Sequence, residues 1–193
     1  MYKKAPNSKT VTGYNSFKRK EWYQVKLIMS DKPLDLDLNR EDVIYIDLSS
    51  LNIANCTGCF GCWTKTPGRC VIRDDAVKVY PKIAESDKLI YVSRVKYGGY
   101  DTIMKTMLER AIPIQQAFIR IVDGETHHVQ RDVAEKDAVI ISYGDISEQE
   151  RELFKRLIGR NARNMNFKSY NVIFSDERQV CSVVKDEVAK WEE

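Results

Sequence analysis

The chain has 193 residues, of which 43% are hydrophobic and 31% charged, and its formal net charge is +3. That length suits one domain with its own core, and the composition excludes a wholly disordered chain. No apolar run reaches the roughly 18–20 residues of a membrane helix, and the N-terminal residues lack the apolar stretch of a secretory signal. We therefore expect a cytoplasmic protein, in which clustered cysteines bind metal or react rather than form disulfides.

Positive charge is concentrated at the start of the chain. Residues 1–22 contain six lysines and arginines against one glutamate, so the remaining residues are slightly acidic overall. This near-neutral remainder argues against a nucleic-acid or membrane partner for the whole surface. We predict a basic N-terminal arm at 1–22, either solvated or docked on a domain at 23–193, with anion binding as the alternative.

Short apolar runs rich in Val, Ile and Tyr predict five strands. They lie at Tyr23–Ser30, Val43–Leu48, Lys88–Ser93, Ala138–Gly144 and Ser169–Ser175. Helical patterns separate or follow the later strands at Asp74–Ser86, Asp101–Phe118, Ser147–Met165 and Glu177–Trp191. Pro113 is expected to kink or interrupt the second of these helices. This alternation predicts an α/β fold with a doubly wound, mostly parallel sheet.

Two connections depart from that plan. Between the first two strands, Asp31–Asp42 is too short for an ordinary crossover helix and contains Pro33, so this helix is expected to be reduced or absent. Between the helix at Asp101–Phe118 and the fourth strand, Arg120–Arg131 contains the turn signal Asp-Gly. We predict a protruding hairpin there that contacts another subunit or covers a site.

A cysteine motif is the most informative segment. Cys56, Cys59 and Cys62 are spaced by two residues each, and Cys70 follows eight positions later. Such compact spacing brings thiolates from one loop to one centre, as in iron–sulfur sites. A zinc site, a redox pair at Cys59 and Cys62, or small buried residues packed in a loop remain alternatives.

Other polar residues have simpler interpretations. His127 and His128 are adjacent, so in a strand they point to opposite faces and a structural or interface role is favoured over a shared site. Glu109 and Arg110 predict a structural ion pair within or near their helix. Cys181 is expected to pack in the core.

The stretch from Val43 to Pro113, about 70 of the 193 residues, resembles the flavodoxin-like NAD(P)H-dependent FMN reductases, or multimeric flavodoxins. Its matching residues are, in order, Leu48, Cys56, Cys59, Cys62, Gly68, Cys70, Asp74 and Asp75. SRVKYGG at Ser93–Gly99 and LER at Leu108–Arg110 also match a loop and a helix end of the family. The resemblance implies a flavodoxin-like five-stranded parallel sheet in the order 2-1-3-4-5.

The resemblance also implies cofactors. FMN would accept hydride from NAD(P)H, and the spacing of the cysteines is similar to that of iron–sulfur flavoproteins, which implies a 4Fe–4S cluster on Cys56, Cys59, Cys62 and Cys70. Its flavin-site positions correspond to Ser30, Lys32, Ser93, Arg94, Val95, Lys96, Tyr97, Gly98, Tyr143, Gly144 and Asp145. Arg94, Lys96 and Lys105 are candidates to receive an anionic cofactor tail. No catalytic residue is assigned.

One departure from the family lies at the phosphate end of that site. Relatives have a Gly-Ser-Pro-Arg-like turn that opens the first helix after the first strand, whereas this chain has Ser30-Asp31-Lys32-Pro33. Asp31 is expected to repel a phosphate, and Lys32 to compensate in part. Arg94 and Lys96 replace a family proline and tyrosine in the loop that contacts the flavin ring.

Two functions follow from these observations. The first is an FMN-dependent NAD(P)H oxidoreductase that passes electrons to a quinone, a flavin or another small-molecule acceptor, through a 4Fe–4S cluster in one version. The second is a flavodoxin-fold relative with a degraded phosphate loop, acting as a non-catalytic binding or regulatory subunit. For either function we expect a homo-oligomer, because the predicted hairpin and the basic arm have no place in a minimal core.

Overall fold

The computed structural model of the protein describes residues 25–38 and 40–192. The predicted basic arm at 1–22 lies outside the described residues. The strands are β1 (Val25–Ser30), β2 (Val43–Asp47), β3 (Ser86–Lys96), β4 (Gly99–Tyr100), β5 (Gln115–Val122), β6 (Glu125–Gln130), β7 (Lys136–Tyr143) and β8 (Phe167–Phe174). The α-helices are α1 (Gly61–Thr64), α2 (Ala76–Glu85), α3 (Thr102–Arg110), α4 (Glu148–Asn164) and α5 (Val180–Ala189).

The central sheet has the strand order β2-β1-β3-β7-β8, and all four pairings along it are parallel. The short strand β4 pairs antiparallel with the end of β3. This arrangement confirms the predicted α/β fold and its order 2-1-3-4-5. The central strands β1, β3 and β7 are mostly buried, because helices or loops cover both faces of the sheet.

The two faces of the sheet are covered differently. On one face, α2, α3 and α4 contribute buried residues such as Ile83, Met107 and Phe154 to the main core. On the other face, the second core contains Val184 of α5 together with Leu34 from the connection between β1 and β2. That connection therefore covers part of the sheet that a first crossover helix would otherwise cover.

The connection between β1 and β2 contains no helix within its described residues, 31–38 and 40–42. Its backbone is held by N–H groups of Leu36 and Leu38 that donate to the carbonyls two residues earlier, 3.1 Å and 2.9 Å away. The leucines face the second core, whereas Asp35 and Asp37 are exposed. The prediction of a reduced or absent helix is confirmed for these residues.

The helix predicted at Asp101–Phe118 is interrupted near Pro113, as expected, but the residues after the interruption are not helical. Helix α3 ends at Arg110, a 3-10 turn follows at Ile112–Ile114, and β5 begins at Gln115. Pro113 explains this early end, since a proline has no N–H to continue the helical hydrogen bonds. No helix in the described part of the chain is long and apolar enough to cross a membrane.

The predicted hairpin is confirmed and begins earlier than expected, because β5 and β6 pair from Gln115 to Gln130. Asp123 and Gly124 form its turn, both with positive φ angles of 49° and 78°, as two-residue hairpin turns favour. Its first strand leaves large apolar side chains exposed on both faces, namely Phe118, Ile119 and Ile121. The hairpin thus presents an apolar surface beyond the central sheet.

Candidate functional site

Parallel strands β1, β2, β3 and β7 end at one edge of the sheet, where open α/β sheets bind ligands. The strand order reverses at β1, because β2 lies on one side of it and all later strands of the sheet lie on the other. The crevice between β1 and β3 is therefore a topological switch point. Three features lie at or beside this edge. They are the cysteine loop (residues 52–75), a groove between α3 and α4, and the switch crevice formed by Asp31, Ser93, Arg94 and Tyr143.

The cysteine loop is closed at its base by two carboxylates. Asp75 accepts a hydrogen bond from the backbone N–H of Asn52 at 3.1 Å, and Asp74 accepts one from Ala54 at 2.9 Å. Gly61 allows the loop to fold back on itself, since a Cβ there would lie 2.7 Å from Cγ1 of Val71. The two acidic residues of the motif therefore hold the loop in shape.

The predicted metal ligands share one small cavity. Cys56 and Cys59 are exposed, Cys70 is partly buried and Cys62 is buried, and all four line a cavity of about 50 Å³. Within residues 25–38 and 40–192, no group of three or more His, Cys, Asp or Glu is arranged to hold a metal ion as it stands. The structure thus brings the cysteines together without forming a coordination cage.

Two of the thiols in this cavity, those of Cys59 and Cys62, have pKa values shifted in opposite directions. Burial raises the pKa of Cys62, and the neighbouring Cys70, Cys56 and Cys59 raise it further. The pKa of Cys59 is lowered, chiefly by the backbone N–H of Gly61. Because thiolates at this spacing repel one another, several of them ionise together only beside a compensating positive charge.

A buried arginine lies behind the cysteines. Arg110 is 1% exposed and binds both oxygens of Asp74, at 2.6 Å and 2.8 Å, and one of its nitrogens lies 3.5 Å from Sγ of Cys70. Its Nε is buried and has no hydrogen-bond partner among the described residues. The predicted ion pair of Arg110 is therefore made with Asp74 and not with Glu109.

The aromatic residues beside the cysteines link the loop to the hairpin. Trp63 stacks on Phe60 with ring centroids 5.6 Å apart and lies 4.8 Å from the ring of His128. Its indole N–H donates to the carbonyl of Gln115 at 3.0 Å. The hairpin therefore buttresses the cysteine loop.

The two histidines point in opposite directions, as predicted. The Nδ1 of His127 lies 2.9 Å from Oδ1 of Asn164, and its Nε2 lies 3.1 Å from a carboxylate oxygen of Glu125. His128 instead contacts Trp63. This supports a structural role for both side chains and brings neither into the cysteine cavity.

The groove between α3 and α4 has a volume of about 1120 Å³. Its lining residues include Cys56, Gly58, Lys96, Tyr97, Tyr100 and Lys105. Its volume lies slightly above the roughly 300–1,000 Å³ of most small-molecule sites. Cys56 and Gly58 also line the cysteine cavity, so the two spaces adjoin.

A tight turn forms the upper end of the groove. Tyr97 and Gly98 join β3 to β4 with φ angles of 54° and 71°. A Cβ on Gly98 would lie 2.6 Å from Cδ2 of Leu153, so α4 packs directly beneath this turn. The side chain of Tyr97 is 82% exposed above the groove.

The switch crevice is filled by a carboxylate. Asp31 is 7% exposed and accepts hydrogen bonds from the backbone N–H of Arg94 at 2.7 Å, the hydroxyl of Ser93 at 3.0 Å and the phenol of Tyr143 at 2.8 Å. Burial and the hydrogen bond to Asp31 raise the pKa of Tyr143, which keeps its phenol protonated as a donor. One side chain from β1 thereby connects the ends of β3 and β7.

The predicted flavin residues are divided between these features. Lys96 and Tyr97 line the groove. Ser93, Arg94 and Tyr143 instead bind Asp31 or lie beside it, and the Lys32 ammonium lies 5.1 Å from the centre of the Tyr143 ring. The remaining candidates are buried Ser30, Val95 and Gly98, half-buried Gly144 and exposed Asp145.

The two places differ in how well they suit FMN. In the crevice, Asp31 already binds the nearby donors and would repel a phosphate, so its residues do not fit that end of the flavin. The groove does fit a flavin, because it is large and combines aromatic side chains with two cations, Lys96 and Lys105. A flavin there would lie beside Cys56.

From the sequence, Asp31 was expected only to repel a phosphate, and its role as a hydrogen-bond acceptor was not predicted. Glu177, which follows β8 and forms ion pairs with Lys32 and Arg94, was not predicted as a site residue. One signal was available, since Asp31, Ser93 and Tyr143 each stand at the end of a neighbouring strand. The α4 residues that line the groove carried no motif and were not predicted.

Part of the chain is similar in sequence to two curated proteins. No protein-family model matches the chain. A segment of 79 residues, 41% of this chain and 35% of the relative, is 37% identical to an iron–sulfur flavoprotein from Archaeoglobus fulgidus. A second iron–sulfur flavoprotein, from Methanocaldococcus jannaschii, is 32% identical over 74 residues, 38% of this chain and 37% of the relative. The matches thus span about a third of the length of these curated relatives.

Solved structures give the same fold over a longer stretch. An FMN-dependent NADH-azoreductase from Bacillus anthracis, determined in complex with FMN, superposes with a TM-score of 0.54. The match covers 86% of this chain and 96% of the azoreductase at 11% sequence identity, which shows the fold alone. The chain therefore has a flavodoxin-like fold, and a part of it is similar in sequence to iron–sulfur flavoproteins, as its cysteine motif predicted.

Proposed function

We propose that the protein is an FMN-dependent NAD(P)H oxidoreductase that passes electrons to a small-molecule acceptor such as a quinone or another flavin. One observation carries this proposal. The groove and the cysteine cavity share Cys56 and Gly58, so a flavin in the groove and a redox centre at the cysteines would be neighbours. When bound, FMN supplies hydride acceptance and electron transfer.

The chain's own contribution is to bind and orient the flavin. Tyr97 and Tyr100 offer aromatic surface at the upper end of the groove, and Lys96 and Lys105 offer positive charge for a phosphate. Leu108 of α3 and Leu157 of α4 add apolar surface on the two sides of the groove. These residue types support a flavin that lies between α3 and α4, with its phosphate away from Asp31.

We also propose that Cys56, Cys59, Cys62 and Cys70 hold a 4Fe–4S cluster, which would relay single electrons. The donor set supports this, because four thiols line one cavity and four cysteine thiolates are the usual ligands of such a cluster. Arg110 supports it as well, because it lines the same cavity and its positive charge suits an anionic group.

The decisive experiment is anaerobic purification of the full chain, iron–sulfide reconstitution and titration with FMN. We expect a two-peaked flavin spectrum from the bound fraction and a broad cluster shoulder, with about four irons and four sulfides per chain. Cys56→Ser should lose most of the iron, whereas Cys181→Ser, which removes a thiol on the opposite face of the sheet, should retain it. Equal iron contents in these two variants would contradict the cluster.

Catalysis is tested separately by oxidation of NADH or NADPH in the presence of FMN and a soluble benzoquinone. The proposal expects turnover that depends on both FMN and quinone. Lys105→Met should raise the FMN concentration needed for half-maximal rate, and Lys185→Met, on α5, is the matched control. A flavin-loaded protein without any turnover would contradict the oxidoreductase.

A non-catalytic binding or regulatory subunit is the second candidate, and the filled switch crevice favours it. Asp31 binds donors at the place where flavodoxin-like sheets take the phosphate of FMN. A folded, reconstituted protein that binds no FMN even at millimolar flavin would favour this function over the first.

We further propose that the protein self-associates through the hairpin of β5 and β6. Phe118, Ile119 and Ile121 are 64–72% exposed there, and a two-stranded hairpin gains stability when its apolar side chains are covered. Light scattering should give at least twice the 22.4 kDa of one chain. Replacing Phe118 and Ile121 with Asp should return the mass to one chain, whereas a wild-type monomer would contradict the proposal.

A further inference from the structure

The ends of β3 and β7 offer a convergent set of hydrogen-bond donors. The backbone N–H of Arg94, the hydroxyl of Ser93 and the phenol of Tyr143 all point at one carboxylate, within 2.7–3.0 Å of its oxygens. Each carboxylate oxygen of Asp31 is used, because one accepts from Tyr143 and the other from Ser93 and Arg94. Two hydroxyls and a backbone N–H converging in this way form a binding site for an oxyanion.

Cations surround the same crevice. The Lys32 ammonium and the Arg94 guanidinium lie 5.1 Å and 5.2 Å from the centre of the Tyr143 ring. Both also bind the carboxylate of Glu177, at 3.2 Å and 3.1 Å. The formal charges of these two cations and of the carboxylates of Asp31 and Glu177 sum to zero, so an added phosphate would meet no net positive charge.

Asp31 lies at the switch point of the sheet, directly after β1. Its backbone N–H donates to the carbonyl of Val92 at 3.1 Å, which continues the pairing of β1 with β3 up to the switch point. A ligand's anionic group enters a doubly wound sheet at this point. In this chain a side chain takes the place that such a group would occupy.

We propose that the switch crevice is an intact oxyanion site occupied by the chain's own Asp31, and that Asp31 is the residue that excludes phosphate from it. The occupied crevice stands independently of the proposed oxidoreductase, since it concerns only the donors around Asp31.

Replacing Asp31 with glycine removes the carboxylate and leaves the three donors and a net positive charge around the crevice. Inorganic phosphate is the probe, titrated by calorimetry at constant ionic strength with chloride as the reference anion. Asp31→Gly should bind phosphate at least tenfold more tightly than wild type, which should show no binding at 10 mM. Asp35→Gly, an exposed substitution on the same segment, should behave like wild type.

Two results would overturn the proposal. One is phosphate binding by the wild-type protein that Asp31→Gly does not strengthen, and the other is a folded Asp31→Gly that binds phosphate no better than Asp35→Gly. If the glycine variant does not fold alone, Asp31→Ser is used in the same titration, since its hydroxyl satisfies part of the crevice. Because no flavin is present, the outcome is separate from a failure of the proposed oxidoreductase.

Discussion

The switch crevice and the cysteine loop lie at the same edge of the sheet, yet they differ in what they leave open. In the crevice, Asp31 accepts hydrogen bonds from the donors at the ends of β3 and β7, so these donors are not available to a phosphate. In the cysteine loop, the Arg110–Asp74 pair holds the backbone, and the four cysteines and Arg110 line a cavity. The carboxylate of Asp31 occupies the crevice, whereas the carboxylate of Asp74 supports a loop whose cavity is empty of side chains.

Breaking the support of the cysteine loop should have the largest effect. Arg110→Met leaves Asp74 with its charge uncompensated at a mostly buried position, which should cost about 3–5 kcal/mol of unfolding free energy. Urea unfolding measures this cost. Arg178→Met removes an exposed pair with Asp176 and should cost less than about 0.5 kcal/mol. Similar losses in the two variants would show that the buried pair does not support the loop.

The second-largest loss of unfolding free energy is expected from truncating a leucine in the connection between β1 and β2, which covers the sheet in place of a helix. Leu34 is 7% exposed in the second core, so Leu34→Ala should cost about 2–3 kcal/mol through lost burial and a cavity. Asp35→Ala, at the exposed neighbouring position, is the control and should change little. If unfolding in urea gave equal midpoints, the extended segment would not be a structural cover of the sheet.

Removing one donor from the crevice should have a smaller effect. Tyr143→Phe deletes the phenol that donates to Asp31 and should cost about 1–2 kcal/mol, because a buried acceptor loses a partner. Tyr97→Phe, at a tyrosine that is mostly exposed, should be neutral by the same urea measurement.

The same tyrosine gives a pH dependence. The pKa of Tyr143 is raised in the folded protein, so its contribution is complete below pH 10, the ordinary tyrosine pKa, and is lost as the pH rises above that value. Wild type should therefore lose more stability between pH 10 and pH 11.5 than Tyr143→Phe does. Parallel losses in both proteins would mean that this phenol is not held by Asp31.

The parallel sheet followed from the sequence because each strand is a short apolar run and the helices between them are amphipathic. The strand order followed from the resemblance to the flavodoxin-like reductases. The cysteine loop was also predictable, since spacing alone brings Cys56, Cys59 and Cys62 to one place. The role of Asp31 was not predictable in the same way. Its partners come from positions 93, 94 and 143, and only the parallel register of β1, β3 and β7 brings them to one carboxylate.

The packing of Leu153 beneath Gly98 has a mechanical consequence for the groove. Because a single methyl group on Gly98 would collide with Leu153, the turn and α4 are in direct contact, and we expect them to move together as one wall of the groove. Any widening of the groove then falls to the opposite wall, formed by α3 and the cysteine loop. A thick ligand would therefore strain the very segment that carries Cys56, so ligand shape and the geometry of the thiols are coupled.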